Sequence, residues 1–78
     1  MIVSLKLPRY GTNMEEATIA KWHLQPGDAF KVGEPLYDIE TEKVTTEVEA
    51  PCDGRLVAIL AKADDIVAVG GVVCKIET

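Results

Sequence analysis

Apolar and polar residues alternate at period two in short blocks separated by turn residues. Val3, Leu5 and Leu7 alternate with Ser4 and Lys6 up to the stop at Pro8, the pattern of a half-buried strand. Leu36-Tyr37-Asp38-Ile39-Glu40 follows the breaker Gly33-Glu34-Pro35. Val44-Thr45-Thr46-Glu47-Val48-Glu49 is rich in β-branched residues and is closed by Pro51. Arg55 to Leu60 follows the turn Asp53-Gly54, and Val72 to Ile76 follows Gly70-Gly71. The segment Asn13–Trp22 carries weak helix signals, with Asn13 as a cap and Glu15-Glu16 in a first turn. Thr18, Ile19 and Trp22 favour strands, and Ala17, Ile19 and Lys21 recur at period two. A loop from Arg9 to Glu16 leading into a strand is therefore predicted. Turns recur every ~8–12 residues, the spacing of a small sandwich or barrel.

A displacement of 37 positions overlays the two halves of the chain, as Asp28 onto Asp65 shows. Gly27-Asp28-Ala29-Phe30-Lys31-Val32-Gly33 falls on Asp64-Asp65-Ile66-Val67-Ala68-Val69-Gly70. Leu36 to Thr41 falls on Val73 to Thr78, with Ile39/Ile76, Glu40/Glu77 and Thr41/Thr78 identical. Upstream, Ile19 and Trp22 fall on Leu56 and Ile59. Each unit is too small to bury its own apolar face, so two copies are expected to share one core about a pseudo-twofold axis. Asp64 stands where the first half has Gly27; aspartate tolerates the left-handed turn conformation better than most residues. The expected fold is all-β: a flattened barrel or sandwich of two four-stranded antiparallel sheets with an internal repeat.

Composition narrows the function. The 78 residues leave room for one small domain, 1–78, and 47% of them are apolar. Eight basic residues stand against thirteen acidic ones, a formal charge of −5. No basic stripe is available for phosphates, so nucleic acid is not an expected partner. The apolar runs are far short of the roughly 20 residues of a membrane span, so no membrane partner is expected, and no signal sequence is visible at the N-terminus. Cys52 and Cys74 lack CxxC or CxxH neighbours, which argues against zinc. They read as two small apolar residues in a reducing compartment, although a disulfide between them is possible on paper.

Of the six lysines, one lies between two strong strand signals. Lys43 follows Thr41-Glu42 and precedes Val44, at the expected tip of a tight hairpin. Its symmetry mate in the second half is missing, because that strand stops at Thr78. A hairpin that merely tolerates a lysine would read the same way.

The run Asp38-Ile39-Glu40-Thr41-Glu42-Lys43-Val44-Thr45-Thr46-Glu47-Val48-Glu49-Ala50-Pro51-Cys52-Asp53-Gly54 resembles the attachment segment of lipoyl domains. These domains belong to the dihydrolipoamide acyltransferase (E2) components of 2-oxo acid dehydrogenase complexes. The likeness extends along the chain through Leu7-Pro8, Gly11, Met14-Glu15-Glu16, Ile19 to Trp22, Pro26-Gly27-Asp28, Lys31 to Leu36 and Val69-Gly70. Glu42 stands where the family more often has Asp, Ala17 where Gly is frequent, and Asp64 where Gly is usual. The related biotinyl domains share the fold, but their lysine is typically flanked by methionines. Here the flanks are Glu42 and Val44, and the two methionines are Met1 and Met14.

The resemblance implies that lipoic acid is attached covalently to Lys43, with Glu40, Thr41, Glu42 and Val44 as recognition flanks. It implies a lipoate ligase or lipoyl transferase as the modifying partner. It further implies acyl transfer from a thiamin-dependent decarboxylase (E1) to coenzyme A at the E2 core, and reoxidation by dihydrolipoamide dehydrogenase (E3). The domain by itself catalyses nothing on this reading. The Arg9–Glu16 loop has no counterpart of equal length in the second half, and long loops on rigid scaffolds tend to carry recognition. Tyr10, Asn13, Met14 and Glu15 are the candidates for contact with E1, although the loop could equally serve to cover one end of the core. The compartment implied is the bacterial cytoplasm or the mitochondrial matrix. The ending at Thr78 suggests a domain excised from a longer E2 chain. Met14-Glu15-Glu16 and Glu42-Lys43-Val44 resemble bacterial pyruvate and acetoin-type components, and the sequence leaves the particular 2-oxo acid open. A biotinyl carrier and an unmodified docking module of the same fold are the alternatives.

His23 shows no acid or nucleophile partner in the sequence and reads as an isolated side chain after a core Trp22. Glu40, Glu42, Glu47, Glu49 and Asp53 could gather a cation, but strand positions facing solvent explain them equally well, and no ligand-loop spacing is present. No metal ligand set, phosphate loop or Ser/His/Asp constellation is expected.

Overall fold

A computed structural model describes residues 1–11, 14–42 and 44–78. The expectations for Asn13 and Lys43 therefore lie outside the described residues. Eight strands occur in order: β1 (Ile2–Lys6), β2 (Glu16–Trp22), β3 (Ala29–Phe30), β4 (Pro35–Glu40), β5 (Thr45–Glu49), β6 (Gly54–Ile59), β7 (Ile66–Ala68) and β8 (Val72–Glu77). They form two four-stranded sheets ordered β1-β8-β6-β3 and β5-β4-β2-β7, antiparallel throughout. No helix among the described residues is long and apolar enough to cross a membrane. The molecule is elongated, 32 × 20 × 18 Å.

The two sheets have one plan. β2, β3 and β4 map onto β6, β7 and β8, and β5 maps onto β1. Ile39 pairs with Thr46 as Ile76 pairs with Val3. Even the irregularities repeat: β2 slips register between Ile19 and Lys21, and β6 slips between Leu56 and Ala58. Each such bulge adds a residue and rotates the downstream side chains to the other face. Ile19 is buried while Lys21 is exposed. The expectation that Ala17, Ile19 and Lys21 share a face therefore fails at Lys21. The bulge also explains the three-residue step from Ile19 to Trp22, and from Leu56 to Ile59, with both members of each pair packed on or in the core.

The turns repeat as faithfully as the strands. Gly27 donates to the Leu56 carbonyl at 2.8 Å, and Asp64 donates to the Ile19 carbonyl at 2.7 Å. The Asp28 carboxylate accepts from the Gln25 amide at 2.9 Å, and that of Asp65 from the Lys62 amide at 2.8 Å. Gly27 has φ 101° and Asp64 φ 75°. The left-handed turn thus survives the replacement of glycine, as the sequence led one to expect. The short strands β3 and β7 were not separately legible, because two or three residues are too few to show a period.

The shared core is built from both halves: Leu7, Ala17, Ile19, Phe30, Leu36, Tyr37, Ile39, Val48, Ala50, Leu56, Ala61, Val73, Cys74 and Ile76. Trp22 is only half-buried; it lies against Tyr37, with ring centroids 4.6 Å apart, and its indole N–H donates to the Ala61 carbonyl at 2.7 Å. Both cysteines are free, Cys74 buried and Cys52 half-buried.

Candidate cofactor-attachment hairpin

β4 and β5 are adjacent and pair over their whole length, from Pro35 opposite Glu49 to Glu40 opposite Thr45. Tyr37, Ile39 and Val48 point into the core, so the hairpin is anchored along its inner face. At its end the Thr41 amide donates to the Val44 carbonyl at 2.9 Å, and the Thr41 hydroxyl reaches the same oxygen at 3.3 Å. The sequence between this pair is Glu42-Lys43. Thr41 is half-buried, and Glu40, Glu42 and Val44 are exposed. Val44 leaves 58% of its surface to solvent.

The loop between β1 and β2 runs alongside this hairpin. Tyr10, Gly11, Met14, Glu15 and Glu16 face Glu40, Thr41, Glu42 and Val44 across an open groove floored by Ala17 and Ile39. Of the loop residues named from sequence, Tyr10 and Glu15 are exposed. Met14 is half-buried and packs against the core, so part of its surface serves the scaffold. The loop is fastened from within by the Met14 amide on the Gly11 carbonyl at 3.1 Å. It is fastened at its exit by the Val69 amide on the Glu15 carbonyl at 2.9 Å. Partial burial, and then the negative charge of Glu49, hold the Tyr10 phenol above its usual pKa. Tyr10 therefore offers a neutral hydroxyl and an aromatic face. The groove walls carry Glu15, Glu16, Glu40 and Glu42, a field suited to a basic partner surface.

A second group of side chains was missed by the sequence reading. His23, expected to be isolated, has a partner: its Nε2 lies 2.8 Å from Oδ1 of Asp38. The two are 15 residues apart, and only the pairing of β2 with β4 brings them together. Glu47 joins them from β5, so one of the five acids grouped from sequence sits in a three-member cluster with a histidine. The signal that would have found it is the alternation that puts Asp38 and Glu47 on the outer faces of paired strands.

Residues 3–76 match the protein-family model for biotin and lipoyl attachment, described as "Biotin-requiring enzyme". The dihydrolipoyllysine-residue succinyltransferase component of the 2-oxoglutarate dehydrogenase complex of Rickettsia felis is 50% identical over 70 residues. That match takes in 90% of this chain and 18% of the Rickettsia protein. The dihydrolipoyllysine-residue acetyltransferase component of the pyruvate dehydrogenase complex of Corynebacterium glutamicum is 42% identical over 72 residues, 92% of this chain and 11% of that protein. The chain thus spans less than a fifth of the length of either relative. Among solved structures, the lipoyl domain of the 2-oxoglutarate dehydrogenase complex from Azotobacter vinelandii superposes with a TM-score of 0.78 at 36% identity, covering 97% of this chain and 96% of that one. A single-chain, multi-domain long-chain acyl-CoA carboxylase contains the same fold, with a TM-score of 0.81 at 18% identity over 97% of this chain and 7% of that one. With a family model spanning nearly its whole length, the chain belongs to the biotin/lipoyl-attachment family.

Proposed function

We propose that residues 1–78 act as one lipoyl carrier domain of an E2 acyltransferase, with lipoic acid in amide linkage on Lys43. The observation that carries this reading is the β4–β5 hairpin, anchored through Tyr37, Ile39 and Val48 and closed by the Thr41–Val44 bond around the Glu42-Lys43 dipeptide. Likeness to a lipoyl domain over nearly its full length supports lipoate over biotin, as do the non-methionine flanks Glu42 and Val44.

The chain's own residues orient and present; they do not catalyse. Amide formation requires the lysine amine to lose its proton before it attacks. Glu40 and Glu42 are negative sequence neighbours and favour the charged ammonium, so the base must come from the lipoate ligase or lipoyl transferase. Those glutamates then serve as handles for that enzyme and for E1. The chemistry the lipoyl group supplies is acceptance of an acyl unit and electrons from E1, delivery of the acyl unit to coenzyme A at the E2 core, and reoxidation by E3. Tethering keeps the acyl unit at high effective concentration near each active site. Tyr10, Met14 and Glu15 belong to the surface that E1 reads, and Asn13 is its further candidate from sequence. The compartment is that of the complex, bacterial cytoplasm or mitochondrial matrix.

The test is reductive acylation. The lipoylated domain is incubated with purified 2-oxoglutarate- and pyruvate-specific E1 enzymes and followed by intact mass. Acylation by one E1 in preference to the other is expected, and Tyr10→Ala with Glu15→Gln should slow it about tenfold or more. A lipoylated domain that no E1 acylates would overturn the reading.

A further inference from the structure

We propose that His23, Asp38 and Glu47 form a binding site for a borderline transition-metal dication of the zinc, cobalt or nickel type on the outer face of the β5-β4-β2 sheet. One ligand atom from each residue can be chosen so that all three lie within 4.8 Å of one another. Asp38 lies on β4 and Glu47 on β5, and His23 is the residue that follows β2. Asp38 and Glu47 are direct partners in the β4–β5 register. His23 is pinned to β4 by its amide, which donates to the Leu36 carbonyl at 2.9 Å. The two carboxylates are therefore set by strand pairing and the imidazole by one backbone hydrogen bond, which favours a defined site.

The charge arrangement points the same way. Like charges directly opposite on paired strands repel, and Asp38 faces Glu47. Lys21 is the register partner of Asp38 on the other side, yet the one contact within 4 Å between a basic and an acidic side chain among the described residues is His23–Asp38. The sheet thus holds two facing carboxylates, with an imidazole nitrogen 2.8 Å from one of them. A dication between them would neutralise both carboxylates while taking the imidazole as a nitrogen ligand.

The donor set selects the class of ion. Calcium and magnesium favour six or more oxygens, whereas one imidazole with two carboxylates is a set that zinc and its neighbours accept. Metal–ligand bonds of about 2.0–2.2 Å put tetrahedral ligand atoms about 3.4 Å apart. The 2.8 Å contact of His23 with Asp38 must open slightly, which the exposed imidazole can do by rotation. Solvent fills the remaining position. The site stands two residues along β4 from Glu40, so a bound dication would also lower the negative potential beside the attachment hairpin.

The test uses the whole unlipoylated chain, stripped with chelator, with zinc titrated calorimetrically and cobalt followed by quenching of Trp22, the chain's one tryptophan and the sequence neighbour of His23. One saturable equivalent in the micromolar range is expected, unaffected by excess magnesium and retained in Cys52→Ser. His23→Gln and Glu47→Gln should each weaken binding about tenfold or more, with circular dichroism unchanged, while Glu49→Gln leaves it intact. Absence of saturable binding, wild-type affinity in His23→Gln, or equal losses in Glu49→Gln and Glu47→Gln would overturn the proposal.

Discussion

Thr78 donates its backbone N–H to the carbonyl of Met1 at 3.0 Å. This is the symmetry mate of the Thr41–Val44 bond at 2.9 Å. Thr41 maps onto Thr78 by 37 positions, and Val44 maps onto Met1 by 43. Met1 and Thr78 thus face each other as the two sides of the attachment hairpin do.

This geometry supports a circular permutant. Joining Thr78 to Met1 through two residues and opening the chain between Glu42 and Lys43 should leave every strand pairing intact. The permutant is expected to unfold cooperatively, with a stability loss under about 2 kcal/mol. Denaturant melts would show it, and a permutant lacking β-sheet dichroism would contradict the repeat as the organising feature of the fold.

Asp64 holds the left-handed turn at φ 75°, where Gly27 holds φ 101° in the other half. A β-branched residue is strained in that region. Asp64→Val should destabilise by about 1–2 kcal/mol, whereas Asp64→Gly should stay within about 1 kcal/mol of the parent. Urea denaturation of both variants distinguishes strain from loss of the carboxylate, which both remove.

Gly54 sits opposite Phe30 in the β3–β6 pairing, where the other half places Ala17 opposite Val67. A methyl group at Gly54 would meet the Glu77 carbonyl oxygen at 2.7 Å and Phe30 Cζ at 3.1 Å. Gly54→Ala should therefore cost about 1–3 kcal/mol. Adding Phe30→Val removes the ring contact but not the backbone one, so the double variant should recover only part of the coupling in a double-mutant cycle.

Burial pushes the Cys74 thiol up to about 11, from an ordinary 9.0. Burial, with Cys74 and Tyr10 as smaller contributors, pushes the Tyr37 phenol well above its ordinary value. Both groups are held neutral by the fold. Their stabilising effect is complete below the unfolded pKa and declines as pH rises, from 9.0 to about 11 for Cys74 and starting near 10.0 for Tyr37. The Cys74 share is about 3 kcal/mol. Melts between pH 8 and about 11 should show falling stability. A Cys74→Ala variant, weaker at neutral pH, should fall less steeply while retaining the Tyr37 part. Under native conditions an alkylating reagent should modify Cys52 and spare Cys74.

Much of the scaffold was legible because symmetry made each weak signal count twice. The blocks around Leu36 and Val73 were readable as strands, and Gly33 with Gly70 as turns. The bulges were not, since a single added residue in β2 or β6 disturbs the alternation without marking its own place. Lys21 was therefore put on the wrong face. The sequence neighbours of Lys43 were legible because a hairpin is local. The His23–Asp38–Glu47 cluster was legible only in part: alternation marks Asp38 and Glu47 as outward-facing, but no short-range spacing encodes the lateral pairing that brings them to His23.

The most direct measurement of the central claim is peptide-mapped intact mass of the chain co-expressed with a lipoate ligase and supplied lipoate. One lipoyl adduct on the peptide containing Lys43 is predicted, absent from Lys43→Arg. A bare chain, a biotin adduct in its place, or an adduct that persists in Lys43→Arg would contradict it.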